Sequence, residues 1–184
     1  MHFSRKIKDL ERYSNNPFVK KKDTVASHSW RSALLGILFE SINKDTGLDF
    51  KKIIYMLILH DLVEFTNSEV TALGFRNRLF KAKSEEEALL QLKDLFPEDQ
   101  FENIHNLLAE FVNQKSPEAK LAKAIENYES NLHVIEEKQP LLDPTHKELT
   151  INYIKRRLGL NKSFDDLIND QLGEIEEVSK QLKL

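Results

Sequence analysis

The side chains that could carry chemistry in this chain of 184 residues are those of histidines and acidic residues. The sequence has six histidines and no cysteine. A thiolate metal site, an iron–sulfur cluster, a disulfide and a cysteine nucleophile are therefore excluded. Any metal ion bound by side chains must be held by imidazole nitrogens and carboxylate oxygens. The search narrows to helix faces where such groups interrupt an apolar pattern.

The strongest candidate lies at the end of the apolar run from Ile53 to Leu59. Three ionisable residues follow this run, namely His60, Asp61 and Glu64. Their spacing on a helix brings all three to one end of its inward stripe. Unpaired buried charge costs several kcal/mol, which a divalent cation could offset. The alternative is that these groups cap the helix end or form a solvated ion pair.

Two other segments each offer one polar side chain. His28 lies seven residues before Leu35 on a predicted apolar stripe that continues through Leu38 and Ile42, so it should point inward. Glu126 lies on a predicted helix with small residues along one side. The alternatives are a satisfied core or capping histidine at position 28 and a solvated acid at position 126.

Helices are the elements that must position these groups. Glycine and proline number only five each, and Ser116-Pro117 and Asp143-Pro144 each place an N-cap before a first-turn proline. The apolar spacing predicts about eight helices: Ser4 to Tyr13, Val25 to Ile42, Phe50 to Glu64, Asn77 to Leu95, Glu98 to Asn113, Pro117 to Glu136, Thr145 to Leu158 and Ser163 to about Leu182. We expect an all-α fold, a single compact bundle formed by residues 1–184 as one domain, because no repeat or linker divides the chain.

The charge balance bears on the class of partner. Lysine and arginine number 27 against 30 acidic residues, a net charge of -3, which is well short of the basic excess that nucleic-acid binding usually requires. The longest apolar run falls far short of the roughly 18–20 residues that cross a bilayer. The opening segment MHFSRKIKDLERYS has no apolar signal-like core. We expect a cytoplasmic protein with neither a nucleic acid polymer nor a membrane as partner.

Four segments resemble successive blocks of one enzyme family. They are residues 12–17 (RYSNNP), 24–31 (TVASHSWR), 60–64 (HDLVE) and 83–88 (KSEEEA). With an acid near position 126, they follow the H…HD…D order of the HD superfamily of helical metal-dependent phosphohydrolases, and they resemble its 5'-deoxynucleotidase-like branch. The motif-bearing part covers about residues 8–130. Residues 140–184 match no block and are expected to form a C-terminal helical extension.

The resemblance implies one divalent metal ion held by His28, His60, Asp61 and Glu126. Ligands of this kind, without sulfur, suit Mn, Co, Fe, Mg or Zn, and the sequence does not choose among these metals. Glu126 stands where the branch usually has an aspartate. Its side chain is one methylene longer and can still bind a hard cation.

The resemblance also implies the reaction, a metal-dependent phosphomonoester hydrolysis similar to that of a 5'-nucleotidase, with nucleoside 5'-monophosphates as substrates. Glu64 and Asp61 would be catalytic, with Glu64 orienting or deprotonating the attacking water. Arg12 would hold the phosphate, Tyr13 would face the sugar or base, and Glu69 lies where relatives contact the sugar. The partner is then a small nucleotide, and copies of the chain can pair as a homodimer, as relatives in this branch often do.

Three positions depart from the pattern of the branch. Glu126 replaces the usual aspartate, Ser27 replaces an acid before the histidine, and Asn67-Ser68-Glu69 replaces the usual Gly-Asp. These departures favour an alternative function, an HD-fold nucleotide-binding or regulatory module whose catalysis is impaired because Glu126 replaces the Asp ligand. A helical scaffold with a merely structural polar cluster is a third interpretation.

Overall fold

The chain folds into α-helices in the computed structural model, which describes residues 2–13, 19–21, 23–42, 47–62, 89–90, 92–93 and 96–182. The described helices are α1 (His2–Asp9), α2 (Val25–Ile42), α3 (Phe50–Leu59), α4 (Glu98–Asn113), α5 (Pro117–Glu137), a 3₁₀ helix (Gln139–Leu142), α6 (Pro144–Lys155) and α7 (Lys162–Gln181). These residues contain no β-strand, which confirms the all-α prediction. They hold seven α-helices where about eight were predicted, and the predicted segment 77–95 falls largely outside them.

Side-chain caps fix where the helices begin. The Ser116 side chain accepts a hydrogen bond from the Ala119 backbone at the start of α5, and Asp143 caps α6, both as predicted. Helix α7 begins one residue before the predicted Ser163, because the Asn161 side chain accepts from the Phe164 backbone at 3.0 Å and serves as the N-cap.

The first helix is shorter than predicted at its C-terminal end. Helix α1 ends at Asp9 rather than Tyr13, because the chain then turns into extended pairing with the segment before α2. The Arg12 backbone nitrogen donates to the Asp23 carbonyl at 2.7 Å, and Glu11 forms an isolated antiparallel bridge with Thr24. This pairing carries Arg12 to the N-terminal end of α2.

Helix α5 lies at the centre of the bundle. It packs against α2, α3, α4, α6 and α7, and its buried residues point in several directions around the helix, as expected of a helix enclosed by others. The apolar core that joins these helices includes Met56, Leu57, Ile125, Phe164 and Ile168. The polar residues of α5 therefore lie inside the bundle unless they are at its ends.

Helices α2 and α3 approach each other closely at Gly36. A Cβ atom at this position would lie 2.8 Å from Leu57 Cδ1, a clash that glycine avoids. The predicted stripe of α2 was wrong for Leu38, which is 54% exposed, because the inward face instead follows His28, Ser32 and Gly36. This face still buries His28 and turns it toward the end of α3.

The capping of α2 explains one departure from the family pattern. The Ser27 hydroxyl accepts from the Thr24 backbone at 3.0 Å, and the Ser27 backbone donates to the Thr24 hydroxyl at 3.1 Å. This reciprocal arrangement is that of a capping box, in which an acidic residue is the usual third-position partner. Ser27 therefore fills a helix-capping position.

None of the helices in the described ranges is long and apolar enough to cross a membrane.

Candidate metal centre

Two buried histidines meet where α2 faces the end of α3. His28 is fully buried and His60 is 7% exposed, and their Nε2 atoms are 3.1 Å apart. Asp61, the next residue, places Oδ1 3.2 Å from His60 Nε2 and Oδ2 3.8 Å from His28 Nε2. The adjacent His-Asp pair thus faces His28 across the gap between the two helices.

Helix α5 adds the fourth predicted side chain. Glu126 is 8% exposed, and its Oε1 lies 3.9 Å from His28 Nε2. One ligand atom from each of His28, His60 and Glu126 falls within 4.8 Å of the other two. The four residues predicted from sequence as metal ligands are therefore brought together, although they come from three helical segments.

The hydrogen bonds of the two imidazole rings favour a cation between them. His60 Nδ1 lies 2.8 Å from the Leu57 carbonyl oxygen, and His28 Nδ1 contacts a carboxylate oxygen of Glu129. Both partners accept hydrogen bonds only, so each neutral ring carries its hydrogen on Nδ1. The two Nε2 lone pairs then face each other, and either a proton or a metal ion between them relieves their repulsion.

The donor set fits a divalent metal ion on this evidence. Nitrogen and oxygen atoms bound to one cation at about 2.0–2.2 Å lie roughly 3–3.5 Å apart, and the His28–His60 and His60–Asp61 separations of 3.1 and 3.2 Å fall in that range. Both histidines also have their second ring nitrogen engaged, as metal-binding histidines usually do.

The charges of the cluster support one another. Burial raises the pKa of Asp61, but His60, His28 and Arg12 outweigh this effect and hold it well below its usual value. Burial likewise opposes ionisation of Glu126, yet Lys123 and the two histidines lower its pKa to about 2. Both acids are therefore ionised at neutral pH. Burial lowers the pKa of His60, but Asp61 and Glu126 raise it by more, so the pKa of His60 lies above its usual value.

Lys123 is a neighbour of the cluster that the sequence did not point to. Its Nζ lies 2.8 Å from Glu126 Oε2 and 5.1 Å from the centre of the Phe111 ring. The two carboxylate oxygens of Glu126 therefore have different neighbours: Oε1 faces the histidines, and Oε2 pairs with the Lys123 ammonium group.

Glu129 is a second residue that sequence reasoning missed. Its side chain is 1% exposed, contacts His28 Nδ1, and accepts from Arg31 Nε at 2.6 Å. Arg31 also pairs with the exposed Glu136 at 2.8 Å. The missed residues stand three positions from predicted ligands, Glu129 from Glu126 and Arg31 from His28, and that helical spacing was the signal that could have found them.

The two predicted substrate residues of the N-terminal segment lie beside the cluster. Arg12 Nη2 donates to the Ser130 hydroxyl at 2.9 Å, and its Nη1 is buried without a hydrogen-bond partner, 3.6 Å from carboxylates of both Asp23 and Glu129. Tyr13 has a left-handed backbone with φ of 58°, and its ring stacks on His133 at 5.3 Å. The predicted catalytic Glu64 and sugar-contacting Glu69 lie outside the described residues.

The central helix of this all-α bundle brings the Glu126 carboxylate to two buried histidines and to Asp61, and this cluster could hold a metal ion. The sequence profile of the HD domain family matches residues 4–163. The chain therefore belongs to the HD-domain family of metal-dependent phosphohydrolases, in its 5'-deoxynucleotidase-like branch, which confirms the resemblance seen in the sequence.

Comparisons with individual proteins agree with this assignment. The chain is similar to the 5'-deoxynucleotidase HDDC2 of Bos taurus, 28% identical over 140 residues that cover 74% of this chain and 66% of that protein. It is 30% identical to the HDDC2 protein of Dictyostelium discoideum over 73% of this chain and 74% of that one. The match thus spans about two thirds of the length of the first of these relatives.

A solved structure shares the fold. The crystal structure of a predicted metal-dependent phosphohydrolase from Magnetospirillum magnetotacticum matches with a TM-score of 0.79 at 21% identity, covering 100% of this chain and 93% of that one. At this identity the likeness concerns the fold alone.

Proposed function

We propose that the protein is a divalent-metal-dependent phosphomonoesterase that releases phosphate from nucleoside 5'-monophosphates. The observation that carries the proposal is the meeting of His28 and His60, Nε2 to Nε2 at 3.1 Å, beside the buried Glu126 and the partly buried Asp61. The similarity to 5'-deoxynucleotidases supports this substrate class.

In this proposal His28, His60, Asp61 and Glu126 hold one metal ion. The two imidazoles offer Nε2, and the ionised carboxylates supply the negative charge that a hard cation needs. Mn, Co, Fe, Mg and Zn all accept such a donor set. When bound, the cation stabilises charge on the phosphate oxygens and lowers the pKa of a bound water.

Arg12 is the proposed phosphate-binding residue. Its guanidinium lies within the electrostatic reach of Asp61 and Glu126, and these acids with Tyr13 keep its pKa raised despite burial. Nη2 is engaged by Ser130, whereas Nη1 donates no hydrogen bond and lies 3.6 Å from the carboxylates of Asp23 and Glu129. A planar guanidinium suits a phosphate oxygen. The ring of Tyr13 lies against both His133 and Arg12, so it also braces this arginine.

Three roles taken from the family resemblance stay predictions. They are the water-orienting role of Glu64, with Asp61 as its catalytic partner, the contact of Tyr13 with the sugar or base, and the position of Glu69 near the sugar. The homodimer and the cytoplasmic location also stay predictions, and light scattering of the purified protein checks the first of these.

The proposal is tested by elemental analysis and phosphate release. Purified protein is assayed on ribo- and deoxyribonucleoside 5'-monophosphates with Mn, Co, Mg or Zn added. We expect one bound metal per chain and metal-dependent turnover that His60→Ala abolishes. His146→Ala, in α6, is the matched control and should retain activity. Full activity of His60→Ala would remove the proposal.

The second candidate is a nucleotide-binding or regulatory module on the same fold. The ion pair between Glu126 and Lys123 favours it, because this pair neutralises part of the negative charge that a cation needs. Such a module binds nucleotides in a calorimeter and hydrolyses none of them with any metal. Robust turnover would exclude it, and a stoichiometric metal would count against the purely structural scaffold.

A further inference from the structure

We propose that Glu129 is a positioning residue of the metal centre, which holds His28 so that its Nε2 faces the other ligands. The inference rests on the proposed metal site and adds a residue outside the predicted ligand set. Glu129 comes from α5, 101 residues after His28, and its carboxylate contacts His28 Nδ1 in the interior of the bundle. A ring held through Nδ1 presents Nε2 in a fixed direction.

The two histidines of the centre are held in different ways. His60 Nδ1 is held by the Leu57 carbonyl oxygen at 2.8 Å, a main-chain atom three residues earlier in its own helix. His28 Nδ1 depends on a side chain of another helix. The orientation of His28 can therefore be changed by a substitution that leaves the backbone of α2 intact.

Arg31 holds Glu129 in place. Its Nε donates to Glu129 Oε1 at 2.6 Å, and its Nη2 donates to the Glu129 carbonyl at 3.3 Å. Since Oε1 is taken by Arg31, only Oε2 remains for His28. Helix α2 thus supplies both the histidine and, one turn later, the cation that fixes the partner of that histidine. The arginine also offsets the cost of burying the carboxylate.

The same carboxylate lies beside the proposed phosphate-binding residue. Glu129 Oε2 is 3.6 Å from Arg12 Nη1. If the proposed function is correct, Glu129 orients the metal-binding face and the phosphate-binding face of the site together. Removal of this carboxylate should then raise the KM for the nucleotide and also lower the affinity for the metal ion.

The test measures Co²⁺ binding by the full-length protein, from its visible absorption spectrum and by calorimetry. We expect Glu129→Gln to weaken Co²⁺ affinity by about 10–100-fold and to alter the spectrum, with the stoichiometry still one. Glu129→Ala, which also removes the hydrogen-bond acceptor, should weaken it further. The melting temperature of the metal-free protein should stay within a few degrees in Glu129→Gln, which has nearly the same shape.

Glu136→Gln is the matched control. Glu136 is the other partner of Arg31, and its side chain is 55% exposed. We expect this variant to bind Co²⁺ within about twofold of the parent. Equal weakening in both variants would assign the effect to general loosening of Arg31 and overturn the proposal.

Three other outcomes would also overturn the positioning role. One is unchanged Co²⁺ affinity and spectrum in Glu129→Gln. Another is a lower melting temperature with unchanged affinity, which assigns a structural role. The third is a stoichiometry that falls from two to one, which makes Glu129 a ligand of a second ion in the cluster with Asp23 and His28.

The experiment also separates this inference from the proposed function. If the parent protein binds Co²⁺ but hydrolyses no nucleotide, while Glu129→Gln weakens Co²⁺, the proposed reaction fails and the positioning role stands. If the parent hydrolyses nucleotides and Glu129→Gln matches it in affinity and KM, the positioning role fails and the reaction stands.

Discussion

Glu126 and Glu129 lie one turn apart on α5 and are both buried, yet they lie near different ring nitrogens of His28. Glu126 faces Nε2 at 3.9 Å and pairs with Lys123 of its own helix. Glu129 contacts Nδ1 and pairs with Arg31 of α2. The first pair forms within one helix, whereas the second exists only after two helices have packed.

The difference between the two glutamates explains how one histidine can be both bound and oriented. A carboxylate near Nε2 adds charge where a cation would sit, while a carboxylate at Nδ1 fixes the ring. Each acid forms an ion pair with a basic side chain, Glu126 with Lys123 and Glu129 with Arg31, so neither is an isolated buried charge. The site therefore has a metal-facing acid and a supporting acid, and each can be changed separately.

Among the substitutions that compare the two glutamates, Glu126→Gln should have the largest effect. This substitution keeps the shape of the side chain and removes the charge that faces the histidines, so we expect Co²⁺ affinity and metal-dependent turnover each to fall by at least about 100-fold. Calorimetry and phosphate release measure the two quantities. If Glu126→Gln lowered Co²⁺ affinity by less than Glu129→Gln does, the assignment of Glu126 as the metal-facing acid and Glu129 as the supporting acid would be reversed.

The acid stability of the metal-free protein gives the next test of Glu126. Its pKa is lowered from 4.5 to about 2 in the folded protein, so its ionised form stabilises the fold above pH 4.5. This contribution, on the order of 3 kcal/mol, is lost as the pH falls from 4.5 through 2. Urea titrations at a series of pH values should show a flatter dependence in Glu126→Gln. An identical dependence in both proteins would contradict the lowered pKa.

Gly36→Ala tests whether the close approach of α2 and α3 sets the spacing of the two histidines. The added methyl group meets Leu57 Cδ1 at 2.8 Å, and we expect a loss of about 1–3 kcal/mol in unfolding free energy together with weaker Co²⁺ binding. Gly173→Ala in α7 is the control, because a Cβ atom there would meet nothing within 4 Å apart from its chain neighbours and the backbone of its own helix. That variant should be neutral or slightly stabilising.

Lys123→Gln should have the smallest effect and the opposite sign. Removing the ammonium 2.8 Å from Glu126 leaves more of the carboxylate charge for a cation, so Co²⁺ should bind up to about tenfold more tightly. Arg31→Gln releases the supporting acid instead and should weaken Co²⁺. If both substitutions weakened Co²⁺ binding, Lys123 and Arg31 would have the same role, and the contrast between Glu126 and Glu129 would be wrong.

Much of the fold followed from local signals. The bounds of α2 and α4 match the predicted segments, and the caps at Ser116 and Asp143 lie where they were expected. The expectation of one domain over 1–184, with residues 140–184 as an extension, stays a prediction. The end of α1 was missed because the bridge of Glu11 to Thr24 is a contact between segments, which helical periodicity does not report.

The sequence by itself determined the types of side chain available for a site and the helix end that carries His60-Asp61, because caps and apolar spacing act within a few residues. Only the tertiary structure decided that Glu129 supports His28, with Arg31 joining it across 98 residues, and that Leu38 is exposed. The physical reason is that spacing fixes which face a side chain occupies, while its partner depends on which helix packs against that face.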